Sequence, residues 1–252
     1  MSQRGLDALL TARHTAALTG AGVSAESGVP TFRGEGGLWR SRRPEELATP
    51  EAFAADPRLV WEFYDWRRSV IRRAGPNPAH YALRALEAMF PRFTLLTQNI
   101  DGFHREAGSR HVLEMHGNIW EVRSLEDGRV WEDRRVPLEP IPPRTESGAL
   151  LRPNVVWFGE GLDPEVLEAA FEAAARCDFM IVAGTSAVVQ PAAHLPVLAK
   201  RNGAYVLEVN PERTPISDLA DETLLGKAGE ALPAVVERLA QAKRRDPRRP
   251  SS

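Results

Sequence analysis

Cysteine is all but absent. Cys177 is the only one in 252 residues, which excludes an intramolecular disulfide and a cage of thiolates around a metal. Lysine is nearly as scarce: Lys200, Lys227 and Lys243 are three of the 32 basic residues, leaving 29 arginines. The proteome-wide mark of extreme heat adaptation is Lys and Glu enrichment, so the arginine bias reads as GC-rich coding. Excess charge is missing too. A net −2 at pH 7 gives no global field to attract nucleic acid or a membrane surface. No apolar run approaches ~18 residues, the length a transmembrane helix needs, and residues 1–7 lack the apolar core of a signal peptide. These absences predict a cytoplasmic protein, monomeric, with neither nucleic acid nor membrane as partner.

What is present is an alternation. Short apolar runs at residues 15–19, 94–97, 112–115, 179–183 and 205–209 each end in small or polar residues. Helical patterns lie between and after them, at 78–89, 163–175, 192–201 and 231–244. That order predicts an α/β fold, a Rossmann-like parallel sheet with helices on both faces. Two segments break the alternation. Residues 35–74 are rich in Trp, Arg and Pro around a helix at 57–73, and residues 118–152 hold short polar strands and a proline cluster. Both read as insertions that build a smaller domain. The sheet domain is then 1–34, 75–117 and 153–245, with a disordered basic tail at 246–252.

Thr97-Gln98-Asn99-Ile100-Asp101-Gly102 follows the second apolar run, and His116-Gly117 follows the third. Unpaired burial of such polar groups costs roughly 1–3 kcal/mol each, so an ordinary core does not place them there. At the carboxyl ends of parallel strands they face the crevice where open α/β sheets bind ligands. Gly20-Ala21-Gly22-Val23-Ser24-Ala25 directly follows the first run and satisfies the G-x-G-x-x-[G/A] turn that cradles a pyrophosphate at a helix N-terminus. Gly184-Thr185-Ser186 and Asn210-Pro211-Glu212 close two further runs. Singly, each has a plainer reading: a turn, a helix cap, a strand-end histidine. Together they point to a nucleotide.

In this order, and with Glu26-Ser27-Gly28-Val29-Pro30-Thr31-Phe32-Arg33 and Pro153-Asn154-Val155-Val156-Trp157-Phe158-Gly159-Glu160 between them, the motifs resemble those of the sirtuins, NAD-dependent protein deacylases. The resemblance covers roughly residues 5–240. It implies NAD as co-substrate, held by Gly20, Ala21, Gly22, Ser24, Ala25, Glu26, Phe32, Arg33 and Trp39 at the phosphate loop. Asn99 and Asp101 would hold the nicotinamide carboxamide, with Ile100 beside them, and Gln98 its ribose. Gly184, Thr185, Ser186, Asn210, Pro211, Glu212 and Ala228 would line the rest. The implied chemistry is attack of an acyl-lysine carbonyl on the anomeric carbon, release of nicotinamide, and transfer of the acyl group to ADP-ribose. His116 would be the general base and Asn99 a second catalytic residue. Val155, Val156, Trp157, Phe158 and Gly159 resemble the strand on which an acylated peptide docks, with Val189 on its other side.

Tyr64 and Arg67 stand three apart on a predicted helix and share a face. With Ala48 they resemble the sirtuin subgroup that removes succinyl, malonyl or glutaryl groups, a guanidinium and a phenol being suited to a carboxylate. On spacing alone they read as an amphipathic helix with a snorkelling arginine. The chain departs from its family in one respect. Where most sirtuins carry two cysteine pairs around a structural zinc, this sequence has Ser124 and Asp127, then Thr145 and Ser147. These are poor zinc ligands. A metal-free small domain is expected, ordered by packing of Trp120, Val122, Trp131 and Val136. Rival readings are an ADP-ribosyltransferase or NAD glycohydrolase on the same scaffold, and a non-catalytic NAD sensor.

Overall fold

The computed structural model describes residues 1–31 and 43–245. The expectations for Phe32, Arg33, Trp39 and the tail 246–252 lie outside the described residues. The chain opens with α1 (Gln3–Thr11), β1 (His14–Thr19) and α2 (Ala21–Ala25). The first insertion carries α3 (Pro44–Leu47), α4 (Pro50–Ala55) and α5 (Pro57–Arg73). Then come α6 (Pro78–Met89), β2 (Arg92–Thr97), α7 (Phe103–Glu106) and β3 (Val112–Glu114). The second insertion supplies β4 (Gly117–Ser124), β5 (Val130–Glu132) and β6 (Leu151–Val155). The chain ends in α8 (Pro164–Arg176), β7 (Phe179–Ala183), α9 (Leu195–Arg201), β8 (Tyr205–Asn210), β9 (Glu222–Leu225) and α10 (Ala228–Arg245).

Helix starts follow local chemistry. In α4, α5, α6 and α8 a proline occupies the first turn, where its missing N–H costs nothing. The preceding Thr49, Asp56, Asn77 or Asp163 accepts a backbone N–H through its side chain. These caps are why α5 and α6 begin where the sequence predicts.

Six parallel strands form the main sheet in the order β3-β2-β1-β7-β8-β9. From β1 the chain builds outward to β2 and β3 on one side, then returns to β7, β8 and β9 on the other. The order reverses beside β1, which places the binding crevice above the carboxyl ends of β1, β2 and β7. Both faces of β1 and β7 are buried against helices, which explains their unbroken apolar runs. The sequence did not reveal the half-exposed edge strand β9 or the short helices α1, α2 and α7. Residues 192–201 divide into a single 3-10 turn and α9. The expected docking strand stops at Val155, and Gly159 further on turns the chain at φ 89. Val156 to Glu160 form the loop beyond it.

The second sheet, β5-β4-β6, is antiparallel. Its core is an arginine. Arg68 is fully buried, its Cζ 5.6 Å from the Trp61 ring centre and 5.8 Å from that of Trp120. Its Nε donates to Ile119 O at 2.9 Å, and Nη1 lies 3.8 Å from Asp133 Oδ1. Trp61 Nε1 donates to Leu151 O at 2.8 Å, tying α5 to β6. Trp120 and Val122 are buried as expected, with Val136 packed at the edge. Trp131 is not: it lies 39% exposed on the edge strand, where alternation turns it away from the core. The residues in place of the cysteines close turns. Ser124 Oγ accepts from the N–H groups of Glu126 and Asp127. Thr145 Oγ1 accepts from Ala149 N, and Ser147 Oγ donates to Glu126 Oε2 at 3.0 Å, joining the two turns. Hydroxyls engaged in this way do not suit zinc. Among the described residues no group of three or more His, Cys, Asp or Glu side chains could hold a metal ion.

Candidate active site

A crevice of about 460 Å³ opens at the predicted switch point. Its floor is bare backbone. β1 runs directly into the Gly20–Gly22 turn, and Gly184 follows β7 at φ 58, a conformation that favours glycine. Gly22 N donates to Gly184 O at 2.8 Å. A Cβ on Gly184 would stand 2.4 Å from Val23 N, and one on Gly22 would stand 2.8 Å from Gly184 O. The two turns therefore touch main chain to main chain. Such a surface, followed by the N-terminus of α2, fits a pyrophosphate.

Polar side chains from the end of β2 form one wall. Asn99 Nδ2 donates to Gly20 O at 3.0 Å and to Ser24 Oγ at 3.1 Å. Ser24 Oγ in turn donates to Asp101 Oδ2 at 2.7 Å, and Asp101 Oδ1 accepts from Phe103 N. Burial pushes the Asp101 carboxyl up, against these donors and the nearby Arg67 guanidinium. Gln98 Nε2 reaches across to Thr185 Oγ1 at 3.0 Å, linking the ends of β2 and β7. Below them Thr19 donates to Thr97 and meets His104 Nε2 at 2.9 Å. Thr97 Oγ1 then accepts from Asn99 N. This buried hydroxyl chain supports the loop from beneath.

His116 stands opposite. Its Nδ1 lies 3.0 Å from Gln98 O. A carbonyl only accepts, so Nδ1 carries the proton and Nε2 keeps its lone pair. Burial pulls the imidazole pKa below its usual 6.5, against that bond, which keeps the ring neutral with the Nε2 lone pair available. Val156 N donates to His116 O at 2.9 Å, so the histidine and the loop after β6 are directly bonded. Phe158 N donates to Ala48 O at 2.9 Å, bringing the first insertion to the same place.

The crevice gathers most of the predicted residues. Gly20, Ala21, Gly22, Gln98, Asn99, Ile100 and His116 line it, as do Gly184, Thr185, Ser186 and Asn210. Ala48, Tyr64, Val155, Val156, Trp157, Phe158, Gly159 and Val189 complete the far end. Others stand behind the wall. Ser24, Asp101 and Arg67 are buried among its supports, and Ala228 is buried at the start of α10. Ala25, Glu26, Pro211 and Glu212 are exposed and off the lining; Glu26 instead accepts from Gly229 N. Thr31 and Leu162 line the crevice without having been predicted. Leu162 carries no local signal in the sequence, whereas Thr31 sits in the motif at 26–33 but was given no role. Arg152, Thr19 and His104 were also missed, and Thr97, though named at the head of the Gln98–Asp101 cluster, was given no role. Their polarity inside apolar runs was the available clue for the threonines.

Comparison with known proteins agrees with this geometry. The model of the Sir2 family matches residues 20–191. An NAD-dependent protein deacylase of Aquifex aeolicus is 55% identical, over 88% of this chain and 93% of its own length. One from Thermococcus kodakarensis is 53% identical, over 92% and 93%. A solved Sir2 homolog in complex with NAD superposes with a TM-score of 0.92 at 48% identity, covering 96% of this chain and 95% of its own. A Sir2 bound to a myristoylated histone peptide gives 0.78 at 35% identity, covering 96% and 98%. With its phosphate turn, its Gln98–Asp101 wall and His116 set around one crevice, this chain belongs to the Sir2 family.

Proposed function

We propose that this Sir2-family enzyme is an NAD-dependent protein-lysine deacylase that favours acyl groups ending in a carboxylate, with succinyl and malonyl foremost. The observation carrying the reaction is His116, neutral and held with Nε2 free, between the glycine turns and the loop after β6. NAD, when bound, supplies the electrophilic anomeric carbon and the departing nicotinamide. The Gly20–Gly22 and Gly184 turns would hold its pyrophosphate, Asn99 its carboxamide end, and Gln98 a ribose. Asp101 supports that end through Ser24 and the α7 N-terminus. His116 Nε2 takes the proton from a ribose hydroxyl, the step general-base catalysis requires of a group poised near neutral pH. An extended peptide would add along Val155–Gly159, with its lysine directed between Phe158 and Val189. The sheet domain thus holds NAD, and the two insertions form a small, metal-free domain that carries the acyl end.

Acyl preference rests on Ala48, Tyr64 and Arg67. Ala48 and Tyr64 line the far end of the crevice, and the small Ala48 side chain leaves room there. Arg67 lies one helical turn beyond Tyr64, buried, with its Cζ 5.9 Å from the Phe63 ring centre. It raises local positive potential without standing on the lining.

The test is incubation with NAD and a panel of acyl-lysine peptides, with products identified by mass. O-acyl-ADP-ribose and bare lysine are expected. Free ADP-ribose or ADP-ribosylated protein with the acyl group intact would overturn the reading. His116→Ala should lower turnover by about 10²–10⁴-fold. Arg67→Met should depress turnover of succinyl-lysine far more than that of acetyl-lysine; equal losses would remove the acidic-acyl assignment.

A further inference from the structure

Trp157 lies in the proposed peptide-docking loop, yet the residue is only 3% exposed. It is fixed on every side. Arg152 lies on its face, with Cζ 3.6 Å from the ring centre. That guanidinium is itself held by Glu160 through two hydrogen bonds of 2.6 and 2.8 Å, and it donates to Val155 O at 2.9 Å. Glu160 Oε2 also accepts from Trp157 N at 2.9 Å, fixing the backbone of the same residue. The Phe53 ring packs against the indole at a tilt, 5.0 Å away between centroids. One polar atom of the indole remains. Trp157 Nε1 donates to Tyr64 Oη at 2.9 Å.

That bond decides where the phenol can point. An indole N–H is a donor with no acceptor capacity, so Tyr64 can only accept from it. The single phenolic proton must leave along another direction, and Tyr64 lines the crevice. We infer that Trp157, locked by Arg152 and Glu160, is a positioning residue that turns the Tyr64 hydroxyl proton into the crevice, where it meets an acyl group ending in a carboxylate. Were the indole N–H absent, the hydroxyl could rotate freely and would lose part of its bias toward the ligand. Preorganised donors are worth more than rotating ones because no ordering is needed when the ligand arrives. The inference rests on the acidic-acyl reading above, which concerns what enters. It adds how the receiving hydroxyl is oriented.

The test compares succinyl-lysine with butyryl-lysine peptides, which match in length and differ in the terminal carboxylate. The readout is the ratio of their kcat/KM values, so any loss common to both substrates cancels. Native enzyme should prefer succinyl. Trp157→Phe should lower the ratio about 5- to 10-fold, the size expected of one hydrogen bond. In a Tyr64→Phe background the same change should leave the ratio where Tyr64→Phe alone puts it, since no hydroxyl remains to be oriented. A native enzyme without succinyl preference would overturn both the acyl reading and this inference. Preference retained in Trp157→Phe, or an undiminished effect of that change in the Tyr64→Phe background, would overturn the inference alone. Should Trp157→Phe fail to fold, site-specific benzothienylalanine at the same position keeps both fused rings, lacks the N–H, and must lower the ratio likewise.

Discussion

The two sheets order their buried polar groups by opposite means. At the crevice of the parallel sheet, polar side chains bond mainly to one another and to main chain, as in the run from Gly20 O through Asn99 and Ser24 to Asp101. Each such bond is neutral or singly charged and can be exchanged for one to a ligand. In the antiparallel sheet the central polar group is Arg68, set between two indoles and bonded to a backbone carbonyl. Nothing there is offered to solvent or substrate. The difference teaches that one region holds its polarity ready for release, while the other uses polarity as packing.

That contrast can be broken at several points. The largest effect is expected where the two glycine turns meet. Gly184→Ala puts a Cβ against Val23 N at a positive φ, where neither backbone can yield. We expect a loss of about 4 kcal/mol or more, read by denaturant unfolding, together with loss of NAD binding by calorimetry. A stable variant with native NAD affinity would show that the turns are not in rigid contact.

Acid comes next. Burial lowers the His80 pKa from 6.5 to about 4. The unfolded chain therefore binds this proton at a pH where the folded chain refuses it, and stability rises with pH across that window. Full stability above about pH 6.5 should fall by about 3 kcal/mol as pH drops toward 4, and His104, also lowered by burial, acts in the same direction. Urea midpoints measured across pH 4–7 would check the slope. A flat profile would mean that folding leaves both imidazole pKa values unchanged.

In the small sheet, Arg68→Met keeps the volume and removes the charge, leaving Ile119 O without its donor. A loss of about 2 kcal/mol is expected, with hydrogen exchange accelerated in β4 before β1. The smallest effect belongs to Ser147→Ala, which removes the exposed link to Glu126. It should cost at most about 1 kcal/mol, and a chelator should leave the melting temperature of native protein unchanged. A chelator-induced drop would show that a metal orders this region after all.

Much of the fold was legible in sequence because helix caps and strand runs are local signals. Asp56-Pro57 and Asn77-Pro78 announce α5 and α6, and β7 reads as five consecutive apolar residues. The edge strand β9 escaped because half-exposed residues show neither a continuous run nor strong alternation. Trp131 was misplaced for a related reason: hydrophobicity says that a residue can be buried, while the register of a short edge strand decides whether it is. The crevice residues were legible through motif order, since the residues at each strand end are consecutive in sequence. Supports such as Arg152 and His104 were not, because their roles depend on partners brought close by the fold. Arg67 shows the limit from the other side: helical spacing paired it with Tyr64, but burial depth, which spacing does not encode, puts it behind the lining.

The turns closed by Ser124, Thr145 and Ser147 carry a consequence for the environments this protein tolerates. Hydroxyls have no accessible oxidation states under conditions that convert thiolates to disulfides or sulfenic acids. Peroxide or electrophiles that strip thiolate ligands from a metal find no target in these turns. The one thiol, Cys177, is buried in the other domain and pushed up to about 12, far from the reactive thiolate form. The order of these turns therefore does not depend on the redox state of a thiol.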